Sequence, residues 1–85
     1  MKFFVYILKS ELDGTLYIGQ TSNLVERIKK HNKGLNRYTK TKIPWKIIYE
    51  EECSSRSESM KLEKRLKSWK KRVALLNYIH KKIGM

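Results

Sequence analysis

Three side chains with useful chemistry follow one another over a short stretch of this chain: Tyr17, Arg27 and His31. An arginine stays charged at any working pH and pairs well with phosphate, whereas a histidine titrates near neutrality and can exchange a proton. The net charge of +12, from 20 basic and 8 acidic residues, predicts a polyanionic partner, with nucleic acid ahead of an anionic membrane. The alternative is a solvated surface that serves only solubility.

Two predicted strands carry the tyrosines. Phe3 to Leu8 is rich in aromatic and β-branched residues and is expected to be buried on both faces. An Asp-Gly turn dipeptide follows, so we expect a hairpin with a second strand, Thr15 to Gln20. Tyr6 and Tyr17 then lie on adjacent strands and on the same face of the sheet.

A helix is predicted directly after the second strand. Asn23 is suited to cap it, and the helix is expected from about Leu24 to Asn32. Arg27 and His31 lie one turn apart on this helix. A strand tyrosine, the glycine that ends the strand, and this arginine and histidine could therefore meet at one spot.

The middle of the chain is a polar connection from Lys33 to Pro44 that contains four cations and no acid. A third strand is predicted from Trp45 to Tyr49, and the acidic run Glu50 to Glu52 is expected to end it. Tyr38 lies among the cations of the connection, where it either stacks on an unpaired base or packs on its own loop.

A second helix is predicted to begin after the capping box formed by Ser55 and Glu58. Glu63 lies at the border of its apolar stripe. The pattern leaves open whether the helix continues to Ile83 or breaks near Lys70. The stripe, with intervals of 4, 3, 4 and 3, consists of Leu62, Leu66, Trp69, Val73 and Leu76.

These elements predict an α+β fold in one small domain spanning 1–85, with a core of about 3–76 and a basic helical C-terminal tail. Cys53 is the lone cysteine, so no disulfide partner and no cysteine-based zinc site is expected, which is typical of a cytoplasmic protein. The apolar N-terminal run is too short for a signal peptide or a membrane span.

The ordered set of residues resembles the GIY-YIG nuclease domain, and most closely its small standalone members, which are similar to the N-terminal nuclease domain of the UvrC excision-repair subunit. The first triplet begins with Val5 where the family pattern has glycine. The family often has an asparagine after the glutamate helix, and Asn77 is the nearby candidate, to which no role is assigned. The matching residues are Val5-Tyr6-Ile7, Tyr17-Ile18-Gly19, Arg27, His31, Pro44-Trp45 and the segment from Glu63 to Trp69.

The resemblance implies a three-stranded antiparallel sheet flanked by helices and metal-dependent hydrolysis of phosphodiester bonds. It implies that Glu63 holds one divalent ion, Mg²⁺ or Mn²⁺, and that Arg27 stabilises charge on the phosphoryl group. Tyr6 or Tyr17 would act as the general base or position the attacking water, with His31 assisting. The expected partner is nucleic acid, with DNA ahead of RNA, in repair or recombination.

Each site residue also has an ordinary structural interpretation. The tyrosines could be packing residues, Arg27 and Glu63 could form a surface ion pair, and His31 could complement a helix dipole. The whole protein could be a binding module with little or no catalytic activity, or a structural protein with a basic surface, and its oligomeric state is left open. The cations expected to bind nucleic acid are Lys33, Arg37, Lys40, Lys42, Lys64, Lys67 and Lys71.

Overall fold

A computed structural model describes residues 2–69 and 71–84, and its three strands form one antiparallel sheet in the order β2-β1-β3. The predicted α+β class with a three-stranded antiparallel sheet and flanking helices is confirmed. No helix in the described ranges is long and apolar enough to cross a membrane. The elements are β1 (Phe3–Ser10), β2 (Leu16–Thr21), α1 (Leu24–Asn32), a 3₁₀ turn (Lys40–Lys42), β3 (Trp45–Cys53), α2 (Arg56–Ser68) and α3 (Arg72–Lys82).

The central strand β1 is buried on both faces, as its composition predicted. Val5 and Ile7 point into one apolar cluster, which α2 and α3 cover. Tyr6 and Leu8 point into a second cluster on the opposite face, together with Trp45 at the start of β3. The alternation of side chains along a strand therefore divides the core into two layers, and Tyr6 belongs to the layer beside α1.

The hairpin between β1 and β2 sets the tyrosines on one face. Gly14 turns the chain with φ +80, a conformation that residues with a Cβ rarely adopt. Antiparallel pairing then places Tyr6 opposite Gly19, and Leu8 opposite Tyr17. The expected juxtaposition of the two tyrosines is confirmed, with ring centroids 6.5 Å apart.

Helix α1 has the predicted bounds. The Asn23 side chain caps its first turn by accepting a hydrogen bond of 3.2 Å from the backbone N–H of Glu26. Gly34, with φ +77, follows its last turn. Leu24 and Ile28 pack on the cluster that contains Tyr6, so this face of the helix brings His31 against the sheet.

The prediction that Glu50 to Glu52 ends the third strand was wrong. Strand β3 continues to Cys53, because these residues pair with β1 along its first half. The middle glutamate, Glu51, is kept in the strand by two hydroxyl donors: Tyr49 at 2.7 Å and Tyr78 at 2.6 Å. Hydrogen bonds from distant residues thus stabilise acidic residues in a strand that local composition alone predicts to end before them.

The stripe predicted beyond Trp69 was wrong for Val73, whereas Leu76 packs against the core as predicted. Helix α2 ends at Ser68 and α3 begins at Arg72, and Lys70, where we expected a possible break, lies outside the described residues. The change of direction leaves Val73 66% exposed. Two other residues of α3, Leu75 and Ile79, enter the core in its place.

The predicted cap of α2 is half confirmed. The Ser55 hydroxyl accepts a hydrogen bond of 3.2 Å from the backbone N–H of Glu58. The reciprocal bond goes to Ser54, whose hydroxyl lies 2.5 Å from the Glu58 carboxylate. This start fixes the rotation of α2, which buries Leu66 completely and leaves Glu63 at the edge of the packed face.

Candidate active site

A buried chain of hydrogen bonds joins the sheet, helix α1 and the connection that follows it. The Tyr6 hydroxyl lies 3.0 Å from Nε2 of His31. The other ring nitrogen, Nδ1, lies 2.8 Å from the Thr39 hydroxyl. Tyr6 is 1% exposed, and His31 and Thr39 are 0% exposed, so these bonds are shielded from bulk solvent. His31 is therefore a hydrogen-bonded core residue, and not simply a residue near the helix C-terminus that complements the dipole.

Gly19 is needed for this arrangement. A Cβ at this position would lie 2.4 Å from the Tyr6 hydroxyl oxygen and 2.5 Å from the adjoining ring carbon. The Tyr6 ring therefore passes directly over the backbone of Gly19 and reaches His31 through the space that any other side chain would fill. Gly19 does not end β2 as expected, because the strand continues to Thr21. The reason for glycine within β2 is this close approach, because Gly19 does not have a positive φ.

The protonation states of the pair follow from its burial. Burial, and then the neighbouring Tyr17, raise the pKa of Tyr6 far above its ordinary value of 10. Burial, and then the charge of Arg27, lower the pKa of His31 below 6.5. At neutral pH the phenol and the imidazole are therefore both neutral, so one ring nitrogen carries a proton and the other accepts a hydrogen bond. The tautomer with its proton on Nδ1 lets the Tyr6 hydroxyl donate to Nε2 and Nδ1 donate to Thr39.

Tyr17 is the accessible tyrosine of the pair. It is partly exposed, and its ring lies against His31 with centroids 5.1 Å apart. Trp45 supports it from the core at 6.2 Å, and Tyr38 covers it from the solvent side at 5.7 Å. Tyr38 is itself 70% exposed, so it packs on Tyr17 and also presents its ring to solvent.

Arg27 on α1 and Glu63 on α2 both influence the pKa of Tyr6. The pKa of Tyr6 responds to both, because after burial and Tyr17 the Arg27 guanidinium lowers it and the Glu63 carboxylate raises it. Within the described residues Glu63 pairs with Lys67, at 2.9 Å, and not with Arg27. The interpretation of Arg27 and Glu63 as a surface ion pair is therefore wrong, and the Arg27 side chain is exposed.

The donors beside the site suit only some metal ions. In the part of the chain that the structure describes, no three side chains of His, Cys, Asp or Glu converge. Glu63 therefore offers a lone carboxylate, and its side chain is 21% exposed. A hard cation that keeps most of its water ligands and also binds substrate phosphate, such as Mg²⁺, matches this donor set. A structural zinc site, which needs four protein ligands, does not.

The seven cations expected to bind nucleic acid differ in how free they are. Lys42 is held 2.5 Å from Asp13, and this ion pair lowers the pKa of Asp13. Lys67 is held by Glu63. The remaining five are exposed: Lys33, Arg37, Lys40, Lys64 and Lys71.

Thr39 is the site residue that the sequence did not predict. The connection carries it into the core, where its carbonyl oxygen accepts a hydrogen bond of 2.9 Å from the Trp45 indole. Asn32 in turn holds Trp45, accepting from its backbone N–H at 2.7 Å. Trp45 is 4% exposed and is a core residue. Asn77, by contrast, lies exposed on α3 and lines a separate cavity.

Comparisons with known proteins agree with this architecture. Residues 2–77 match the family model described as the GIY-YIG catalytic domain. A UPF0213 protein of Staphylococcus haemolyticus is 41% identical over 75 residues, which cover 87% of this chain and 90% of the relative. For a UPF0213 protein of Streptococcus agalactiae the identity is 39% over 77 residues, with 89% and 85% covered. The solution NMR structure of a UPF0213 protein from Bacillus halodurans gives a TM-score of 0.58 at 32% identity and covers 92% of this chain and 83% of that chain.

Proposed function

We propose that this chain, which belongs to the GIY-YIG catalytic-domain family and resembles its small UPF0213 members, is a metal-dependent endonuclease that hydrolyses phosphodiester bonds in nucleic acid. The family supports a nuclease, and the substrate and the site roles are our inference. The observation that carries the proposal is the buried hydrogen bond between Tyr6 and His31, with Arg27 one turn from His31 on α1 and Glu63 on α2.

The side chains have complementary roles in this proposal. Glu63 would hold one Mg²⁺ or Mn²⁺, and such an ion, when bound, supplies Lewis-acid stabilisation of a phosphoryl oxygen and of the leaving oxygen. Arg27 is exposed and permanently charged, so its guanidinium can pair with the phosphate and stabilise the charge that develops there. Both residues would thus lower the barrier by electrostatic stabilisation.

The proton of the attacking water needs an acceptor. Tyr17 is accessible and would position the water. Tyr6 would accept the water proton while passing its own hydroxyl proton to Nε2 of His31. The hydroxide oxygen forms the new bond to phosphorus, the bond to the leaving oxygen breaks, and the proton remains on the imidazole. His31 is neutral before the step and can therefore accept this proton.

The nucleic acid would be bound through the exposed cations. Contacts from lysine and arginine to phosphates do not depend on base sequence and weaken with salt. We propose DNA as the nucleic acid, a role in repair or recombination, and a cytoplasmic location, which suits a chain whose lone cysteine, Cys53, is buried and free.

A nucleic-acid-binding module with little catalysis is the second candidate. It is favoured by the ion pair of Glu63 with Lys67, because this pair occupies the carboxylate that the ion requires. The two candidates make the same prediction for binding and opposite predictions for cleavage.

The experiment is cleavage of a panel of labelled duplex, single-stranded, flap and junction DNAs and RNAs in Mg²⁺ or Mn²⁺. Arg27→Ala and Glu63→Gln should each abolish cleavage and leave the fold intact, because neither side chain fills the core. Lys29→Ala in α1 and Glu11→Gln in the turn between β1 and β2 are matched controls, exposed residues of the same charges, and should cut like the wild type. Binding without cutting in either metal would overturn the proposed activity in favour of the binding module.

A further inference from the structure

An open cleft lies beside the candidate active site and shares one wall with it. Its volume is about 870 Å³, within the range of about 300–1,000 Å³ that is usual for small-molecule sites. Tyr17 forms the shared wall, and the connection after α1 and the junction of α2 with α3 form the others. Any group in this cleft is therefore adjacent to the residues to which we assign the chemistry.

The walls of the cleft carry exposed aromatic surface. Tyr38 lies on the ring of Tyr17, with centroids 5.7 Å apart, and is 70% exposed. Trp69, which follows α2, also lines the cleft and packs against Tyr78, with ring centroids 5.5 Å apart. Aromatic rings from two separate segments of the chain thus line the same space, as in proteins that stack unpaired bases.

The position of Tyr38 is fixed by the backbone and not by burial of its ring. Asn36 Oδ1 accepts hydrogen bonds from the backbone N–H of Tyr38 at 2.9 Å and of Thr39 at 3.1 Å. Thr39 is in turn anchored to His31 in the core. The exposed ring is therefore held at the mouth of the cleft by the same segment that orients the imidazole.

The positive charge of the residues that line the cleft favours an anionic ligand. Its charged lining residues are Arg37, Lys67 and Arg72, and within the described residues no acid is among them. Lys67 is paired with Glu63, and Arg72 donates a hydrogen bond to the Gly14 carbonyl oxygen. Arg37 is exposed beside Tyr38, so a cation and an aromatic ring face the same space.

From these contacts we infer that the cleft binds an unpaired nucleotide of the substrate strand, with its base on Tyr38 and its phosphate on Arg37. Bases inside a duplex are stacked and paired, so they offer no free face to a tyrosine. The substrate class is therefore single-stranded nucleic acid, or a flap or loop with an unpaired base beside the bond that is cut. This inference rests on the proposed function only in taking nucleic acid as the ligand.

The test is equilibrium binding, so it does not require cleavage. Fluorescence anisotropy would follow a labelled single-stranded 12-mer and the matching duplex at low salt. Tyr38→Ala should weaken single-strand binding on the order of tenfold to a hundredfold, the usual effect of losing a stacked base, and should leave duplex binding unchanged. The fold is not at risk, because the ring is mostly exposed.

Four comparisons sharpen the test. Tyr38→Phe keeps the ring and should bind like the wild type, and Leu35→Ala is the matched control, because Leu35 is 69% exposed in the same connection and does not line the cleft. A 12-mer made entirely of abasic residues should bind the wild type as weakly as the intact strand binds Tyr38→Ala. A free nucleoside monophosphate should compete only weakly, since it lacks the neighbouring phosphates.

The outcomes separate this inference from the proposed function. Selective loss of single-strand binding in Tyr38→Ala, without cutting of any substrate, would support the cleft and refute the nuclease. Cleavage of duplex and single strand alike by both the wild type and Tyr38→Ala would support the nuclease and overturn the cleft. Four other results would also overturn the inference about the cleft. They are equal loss of single-strand and duplex binding in Tyr38→Ala, loss of neither, no single-strand binding by the wild type, and tight binding of the free nucleotide.

Discussion

Replacing Gly19 by alanine places a methyl group against the Tyr6 ring. The new Cβ would lie 2.4 Å from the hydroxyl oxygen and 2.5 Å from Cζ. Favourable separations of carbon atoms are about 3.5–4.0 Å, so the ring must move by roughly 1 Å. Tyr6 is 1% exposed in the central strand and has little room to move without loss of its 3.0 Å hydrogen bond to His31.

The magnitude follows from three contributions. Overpacking of a core costs about 1–3 kcal/mol. Loss of the hydrogen bond between Tyr6 and His31 costs a further ~0.5–1.5 kcal/mol, the net value of one such bond. Alanine in place of glycine in a strand returns about 0.5–1 kcal/mol. The free energy of unfolding should therefore fall by about 2 kcal/mol, and cleavage should fall on the order of a hundredfold, as for a misplacement of about 1 Å in an active site.

The assay is urea unfolding followed by circular dichroism, together with cleavage measured where the variant is fully folded. Tyr6→Leu provides the control background, because leucine lacks both atoms that the new methyl group meets. Gly19→Ala should cost much less in that background, so the two changes should be strongly coupled. A cost that is equal in both backgrounds, or a Gly19→Ala protein that cuts like the wild type, would refute the assigned contact.

Three further predictions concern the neighbours of this contact. Because the pKa of His31 is lowered in the folded state, the unfolded state binds more protons below pH 6.5, so the free energy of unfolding should be greatest above that pH and fall below it. The fall should be smaller in His31→Gln and unchanged in a variant of the exposed His80. Urea midpoints measured at several pH values would test this. Thr39→Val should slow cleavage and alter its pH profile, since Nδ1 of His31 loses its partner. Thr39→Ser should restore the rate and the pH profile. Equal pH profiles for the wild type and both variants would contradict the role of Thr39 in positioning His31. Lys67→Met frees Glu63 from a partly exposed ion pair, so it should tighten Mn²⁺ binding up to about fivefold. It should also weaken the binding of nucleic acid. Weaker Mn²⁺ binding by calorimetry would contradict the assignment of Glu63 as the metal ligand.

The sequence predicted the first half of the fold more accurately than the second. Strands β1 and β2 and helix α1 have local signals: alternation along the strands, an Asp-Gly turn and an Asn23 cap. The end of β3 has no such signal, because Glu51 stays in the strand through hydroxyl groups from Tyr49 and Tyr78, the second of which is 27 residues distant along the chain. Partners that distant cannot be inferred from local composition.

The break between α2 and α3 illustrates the limit of periodicity. The apolar stripe continues in sequence to Val73, and a continuous helix would have buried that residue. The chain turns instead, so Leu75 and Ile79 enter the core and Val73 is exposed. A turn of this kind changes which residues share a face, and the spacing alone does not record it.

The candidate site was predictable except for the residue that orients its histidine. Tyr6, Tyr17, Arg27 and His31 follow from strand alternation and helical spacing, and Glu63 from the resemblance to the family. Thr39 lies in an irregular connection, where no periodicity assigns it to a face. Its position depends on tertiary contacts that are visible only in the fold.

The most direct test of the central claim exchanges the proposed metal ligand for one of different softness. Cleavage by the wild type and by Glu63→Cys would be compared in Mg²⁺ and in Cd²⁺, with Glu63→Gln as the control that neither ion should rescue. A carboxylate suits Mg²⁺ and a thiolate suits softer ions. We predict that the wild type cuts in Mg²⁺, and that Glu63→Cys is inactive in Mg²⁺ and regains cleavage in Cd²⁺. Undiminished cutting by Glu63→Cys in Mg²⁺, or cutting by the wild type in a chelator, would contradict a metal held by Glu63.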